Sequence, residues 1–459
     1  MLEKIHIFHT NDVHSHFQYW PRMQHFVTQK RAELAAIGET SYLFDIGDHL
    51  DRSNIYTEAT FGKGNVQLLN EANYDVVTIG NNEGITLTHD ELFHLYDEAT
   101  FQVVVANVQA LQGANPSWMK PYVIITTVRG TKLAIIAATA MFDVYYRELN
   151  WQVDDAQQTI IQLVHQLRDE VDIIVCLSHL GITEDRLLAE ACPAIDVIFG
   201  SHTHHVLLEG ERVNGVLLTG GGKFGQYLGH LVIEYDDNLK KIVEKNEILL
   251  NIREFPTVKN EKDIVQYFEE EGKKLLDVAV FETDKFYNKE WFHYSQLSDV
   301  FAQAIVEKSG ADCALFNAGI FLDGLPKGKV TALDIHRIFP HPINLCTIEL
   351  SVAELKEIYQ QSKNEEWPYI ELKGLGFRGV IFGKMLTYGF MVNEDRQLMV
   401  NGELADEQRI YKLVTLDLFT FGYFYPSFKY AKKKYILPAF LRNIMIDYGR
   451  RRFKPQELK

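Results

Sequence analysis

The sequence predicts a two-domain α/β protein, and three observations carry that prediction. At 459 residues the chain exceeds what one ordinary hydrophobic core organises, so two domains are expected. Short apolar runs alternate with amphipathic segments up to about residue 250, the pattern of layered α/β structure. A Glu- and Lys-rich segment at 260–276 then separates this region from a second, differently patterned α/β stretch.

The apolar runs at 5–8, 42–46, 76–79, 103–106, 122–128, 133–138, 171–177 and 197–199 are aliphatic or β-branched and bounded by Gly, Asn, Asp or Ser. They are expected to be buried strands. Ile160, Leu163, Val164 and Leu167 fall at i, i+3, i+4 and i+7, which predicts a helix over about 154–170, capped by Asp154 or Asp155. In the second half, Leu297, Val300, Phe301, Ala304 and Ile305 repeat at helical spacing, followed by the strand-like Ala314-Leu315-Phe316 and the turn residues Asn317-Ala318-Gly319. The expected partition is 1–252, a linker helix within 253–280, and 281–459.

Composition narrows the function classes. A hydrophobic fraction of 46% and a charged fraction of 24% are those of a soluble globular chain. The net charge of −16 opposes attraction to nucleic-acid backbones or anionic membranes, so an anionic substrate needs a local positive source. The basic runs at 432–434 and 450–452 lack the interleaved aromatics of a nucleic-acid groove, and no nucleic-acid partner is expected. Cys176, Cys192, Cys313 and Cys346 are scattered without CxxC spacing and read as free buried thiols. The start of the chain lacks the pattern of a secretory signal, and no uncharged apolar stretch approaches the roughly 20 residues of a membrane span. A cytoplasmic address without a membrane partner is the expectation.

Metal-capable side chains follow the apolar runs repeatedly. Asp12 and His14 come after 5–8, Asp48 after 42–46, Asn81 after 76–79, His179 after 171–177, and His202 and His204 after 197–199. Ligand sites of open α/β sheets lie outside the carboxyl ends of strands, so five loops can deliver these seven side chains to one place. Turn preferences explain single Asn or Asp residues, but neither the histidines nor their order. Imidazole, carboxylate and amide oxygen together suit manganese, zinc, iron or similar ions. A carboxylate such as Asp48 can bridge two ions roughly 3.5–4 Å apart, and such a pair polarises a phosphoryl group and supplies hydroxide near neutral pH. Hydrolysis at phosphorus is the reaction class implied.

The series His9-Thr10-Asn11-Asp12-Val13-His14, Gly47-Asp48, Gly80-Asn81-Asn82-Glu83, Ser178-His179-Leu180-Gly181 and Gly200-Ser201-His202-Thr203-His204 resembles the ordered motifs of calcineurin-like metallophosphoesterases, in their 5′-nucleotidase/UDP-sugar hydrolase branch. The resemblance implies a four-layer α/β/β/α metallophosphoesterase domain followed by a smaller α/β 5′-nucleotidase C-terminal domain. It implies two divalent ions (Mn, Zn, Co or Mg), one held by Asp12, His14, Asp48 and His204, the other by Asp48, Asn81, His179 and His202. The implied substrates are nucleotides or nucleotide sugars such as UDP-sugars. Asn317-Ala318-Gly319 and the stretch from Phe339-Pro340 to Asn344 resemble the family's substrate domain, which places Asn317, Gly319, Phe377, Arg378 and Phe419 at the substrate, with Phe377 stacking on a base.

The chain also departs from that pattern. The family's histidine after the metal-binding Asn, and the Asp three residues beyond it, are Asn82 and Ile85 here. An amide can hydrogen-bond a phosphoryl oxygen but cannot protonate a leaving group, and a general acid contributes about 10²–10⁴-fold. Asn82 and Asp48 are therefore the expected catalytic residues, with turnover tilted toward substrates that leave well. The family's arginine after the Asn-x-Gly turn is Leu322, and its Gly-Gly-Asp-Gly segment corresponds to Phe421-Gly422-Tyr423-Phe424. Two other readings fit these departures: a sensor that keeps the metal cage without turnover, and a cyclic-nucleotide phosphodiesterase.

Overall fold

The computed structural model describes residues 2–372 and 374–453. The chain divides between Gly272 and Lys273 into two compact units. That point lies inside the helix Glu261–Leu276, which occupies the segment read as a linker helix.

Two mixed sheets build the N-terminal unit. The first has the order Lys241–Asn251, Tyr227–Asp236, Leu2–Thr10, Thr40–Asp45, Val76–Val77, Gln102–Val104, Met119–Lys120. The second runs Glu211–Val213, Val216–Thr219, Val197–Gly200, Ile173–His179, Lys132–Thr139, Tyr122–Thr126. Strand side chains alternate between faces, so Ile5, Ile7, Phe44 and Val76 of the first sheet meet Ile135, Val175, Leu177 and Phe199 of the second in a fully buried core. The opposite face of the second sheet presents Ile136, Ile174 and Ile198 to Ile160, Val164 and Leu167 of the helix Ala156–Leu167, and to Leu188 and Ala189 of Ile182–Ala191. The helix Trp20–Ala36 buries Trp20, Met23, Val27 and Leu34 beside the strand Thr40–Asp45. Four layers result, as the resemblance implies.

Local signals are used where the sequence offers them. Asp155 rather than Asp154 caps the helix, accepting from Gln158 N at 2.8 Å. The strands Tyr227–Asp236 and Lys241–Asn251, which continue the first sheet through antiparallel pairing, are absent from the expected strands. Buried residues alternate with half-buried or exposed ones in both, and polar or charged side chains interrupt them, so neither forms a continuous apolar run.

In the C-terminal unit a five-stranded sheet has the order Met385–Tyr388, Cys313–Asn317, Tyr411–Leu416, Asn344–Leu350, Lys433–Phe440. The helix Gln296–Ser309 packs on it, capped by Ser295 and ended by Gly310 in left-handed conformation. Cys176, Cys192, Cys313 and Cys346 are buried free thiols. No helix among the described residues is long and apolar enough to cross a membrane.

Candidate metal centre

The centre is built at the carboxyl ends of parallel strands in the N-terminal unit. Leu2–Thr10 pairs in parallel with Thr40–Asp45, and Lys132–Thr139, Ile173–His179 and Val197–Gly200 run parallel in the facing sheet. The loops leaving these strands are tied together. Asp12 N donates to Gly47 O at 3.0 Å and His14 N to Asp48 O at 2.9 Å, which fixes the first two loops against each other.

Five of the seven expected ligands have left-handed backbone: Asp12 (φ 49°), His14 (48°), Asp48 (53°), His202 (70°) and His204 (56°). Residues other than glycine avoid this region, and such strain concentrates where a site over-determines the backbone. Gly80 is demanded by space instead. A Cβ there would lie 2.6 Å from both Asp48 N and His179 Cε1 and would also strike the Asp48 carboxylate.

The side chains converge. Asp12 is fully buried; its Oδ2 accepts from Ser201 Oγ at 2.6 Å, Asn11 Nδ2 at 2.7 Å and His202 N at 3.2 Å. Its Oδ1 has no hydrogen-bond partner and stands 3.5 Å from His204 Nε2 and 3.8 Å from His14 Nε2. His14 Nε2 and His204 Nε2 are 3.2 Å apart. Asp48 Oδ1 accepts from Asn82 N at 2.7 Å, while Oδ2 lies 3.4 Å from His179 Nε2 and 3.8 Å from His14 Nε2. Asn81 Oδ1 is 2.8 Å from His202 Nδ1.

These residues fit divalent cations. His179 Nδ1 lies 2.8 Å from Ile46 O and must carry the ring's proton, so in the neutral ring the buried Nε2, which has no hydrogen-bond partner, turns a lone pair toward the Asp48 carboxylate. Burial opposes charge on this ring, yet Asp48 outweighs it and raises the His179 pKa to about 10. A positive charge belongs between the two groups, and a metal ion supplies it without a proton. Asp12, His14 and His204 form one group able to hold an ion; Asp12, Asp48 and His179 form another. Burial lowers the pKa of His202 to about 4 and also lowers that of His204, keeping both imidazoles neutral, as ligation requires.

Other motif residues serve as supports. Glu83, buried, accepts from Asp48 N at 2.9 Å, Gly80 N at 2.8 Å and Leu50 N at 3.0 Å, so one carboxylate braces two ligand loops. Asn82, expected as a catalytic residue, lies within the same shell. Its Nδ2 stands 2.8 Å from His14 Nδ1 and 3.0 Å from Leu50 O, which commits the amide nitrogen to the ligand shell. Sequence reasoning missed Ser201 as the partner of Asp12.

The expected substrate residues of the C-terminal unit are buried or half-buried. Phe377 is 3% exposed and stacked on His341 with centroids 5.3 Å apart and planes at 4°. Phe419 is fully buried against Phe382, Phe424 and Tyr425. Asn317 is buried and donates to Phe382 O at 2.7 Å, and Gly319 is pressed against the carbonyls of Ile381 and Phe382. Arg378 remains half-buried, its backbone N donating to His341 Nδ1 at 2.9 Å.

Fold and site define a class. Residues 5–206 match the family described as calcineurin-like phosphoesterase, and residues 277–423 match the 5′-nucleotidase C-terminal domain. The chain belongs to the calcineurin-like phosphoesterases that carry a 5′-nucleotidase C-terminal domain, a family of enzymes that use two divalent metal ions. It is 41% identical over 456 residues to the uncharacterized metallophosphoesterase YunD of Bacillus subtilis (strain 168), covering 97% of this chain and 99% of that one. It is 23% identical to a 5′-nucleotidase of Vibrio cholerae, over 73% of this chain and 71% of the relative. Among solved structures, the 5′-nucleotidase precursor of Thermus thermophilus shares the fold with a TM-score of 0.60 at 19% identity, over 98% of this chain and 96% of that one.

Proposed function

We propose that the chain hydrolyses phosphoanhydride or phosphoester bonds of nucleotides or nucleotide sugars. Asp12, His14, Asp48 and His204 hold one divalent ion, and Asp48, Asn81, His179 and His202 hold the other. The supporting observation is the buried pair formed by Asp48 Oδ2 and the partnerless His179 Nε2 at 3.4 Å, which calls for a cation between an acceptor and a lone pair. When bound, the two ions polarise the phosphoryl group and lower the pKa of water. The protein's own part is orientation: Asp12 is fixed by Ser201 and Asn11, Asp48 by the Asn82 backbone, His179 by Ile46, and the loops by Glu83.

Leaving-group chemistry follows from Asn82. With its amide nitrogen on His14 and Leu50, and with Ile85 unable to orient an acid, this position protonates nothing. Substrates whose leaving group departs as a stable anion, such as UDP-sugars or aryl phosphates, are favoured over AMP, by the roughly 10²-fold or more that a general acid contributes. The test is product formation by the protein reloaded with manganese, zinc, cobalt or magnesium, on UDP-glucose, an aryl phosphate and AMP, with Asp48→Asn as control. Metal-dependent turnover in that order is expected. No product with metals demonstrably bound overturns the reading in favour of a ligand-binding sensor, which the loss of the acid also accommodates.

A further inference from the structure

We propose that Lys223 and Phe224 form an anion clamp beside the metal ligands, which binds the non-reacting phosphate of a diphosphate substrate. The proposal rests on the phosphohydrolase reading above.

Both residues lie in the turn between the strands Val216–Thr219 and Tyr227–Asp236. The turn is stapled to the loop carrying Asp12 and His14: Phe224 N donates to Asp12 O at 2.8 Å, and Asn11 Nδ2 donates to Gly222 O at 2.8 Å. Phe224 is itself left-handed, at φ 62°, a conformation that a bulky aromatic avoids unless its surroundings impose it. Its ring stacks on His16 at 3.8 Å and 25° and meets the edge of His14 at 5.9 Å. His16 is held in turn by the His14 carbonyl at 2.9 Å. The ring is nevertheless 36% exposed, so packing alone does not account for a strained aromatic fixed against a metal ligand.

The Lys223 ammonium lies 4.6 Å from the centre of the Phe224 ring and has no hydrogen bond or ion pair among the described residues. Arg52, a cation on the loop after Asp48, is committed to Glu58 at 2.8 Å. Contact with an aromatic face at a half-exposed site is weak, whereas an ammonium brings three donors to a phosphate as a mobile point charge. Phe224 therefore parks the ammonium without neutralising it. The same ring contacts both the Lys223 ammonium and His14, which sets the charge beside the ligand shell, where the neighbouring phosphate of a diphosphate is held while its partner reacts. In a chain of net charge −16, this is a local positive source at the centre's edge.

The test uses the metal-loaded full chain and its Lys223→Met and Lys223→Arg variants. Calorimetry would measure binding of a methylene-bridged nucleoside diphosphate and of a simple alkyl phosphonate, with bound metal determined in parallel. Lys223→Met is expected to weaken the diphosphate analogue about tenfold or more, as loss of one charge-assisted contact implies, and to leave the phosphonate within about twofold, with metal content unchanged. Lys223→Arg should retain most of the diphosphate affinity. Equal affinity of wild type and Lys223→Met for the diphosphate analogue overturns the clamp, and so does equal weakening of both probes, which would place Lys223 on the reacting phosphate. Binding is read without turnover, so failure of the hydrolysis assay is a separate outcome that leaves this comparison standing.

Discussion

In the N-terminal unit, Asp12, His14, Asp48, His202 and His204 sit in left-handed backbone around an acceptor and a lone pair that have no hydrogen-bond partner; in the C-terminal unit, the apolar Phe377 and Phe419 sit buried and packed. The left-handed non-glycine residues of the second unit among those described, Leu375, Arg396 and Asn401, include none of the expected substrate residues. A metal cage requires particular donor atoms at fixed positions, so the fold sustains strain and unpaired polar atoms to keep them there. An aromatic position that meets an organic group can pack against its neighbours instead, because burying an aromatic ring is favourable by itself.

The largest expected effect tests the strained side of that contrast. Asp48→Asn removes the carboxylate that faces both His14 and His179, and metal analysis should show less than the wild-type metal content, with hydrolysis reduced beyond the roughly 10–100-fold cost of losing an outer-shell partner. Full metal content and activity in this variant would break the comparison at its centre. On the packed side, Phe419→Ala should destabilise the chain by about 3–5 kcal/mol in denaturant unfolding, as for other buried aromatics, without a specific rise in KM. A large KM effect at unchanged stability would place Phe419 at the substrate.

Glu83→Gln sharpens the role of the loop brace. The variant turns an amide N–H toward a backbone N–H in a buried place, which should cost about 1–3 kcal/mol and weaken metal binding roughly 10–100-fold, measured by thermal unfolding and metal titration. A further effect is a pH response of the C-terminal unit, graded over its pH window. Burial lowers the pKa of His341 to about 3; its Nε2 lies 2.9 Å from Ile320 O, while Nδ1 accepts from Arg378 N, so neither nitrogen has room for another proton. The unfolded imidazole, with an ordinary pKa near 6.5, binds that proton more readily. The contribution of His341 is therefore complete above about pH 6.5 and is lost progressively as pH falls toward 3, at up to about 1.4 kcal/mol per pH unit. Unfolding curves of wild type and His341→Leu should converge across that window; parallel curves would remove His341 as the cause.

What the sequence alone determined is tied to local pattern. Apolar runs located the strands of both inner sheet faces, i, i+4 spacing located the helix behind them, and donor-type residues after successive strands pointed to the groups able to hold a metal ion. That works because strand alternation and the rule that ligands gather at carboxyl strand ends are properties of short stretches. Only the tertiary structure decided that Asn82 turns its amide to His14, 68 residues away, that Phe377 stacks on His341, and that the Lys223 ammonium lies over Phe224, whose ring meets His14. The physical reason is that a periodic pattern fixes an element and its buried face, whereas the partner of each polar atom is set by packing between segments far apart in the chain.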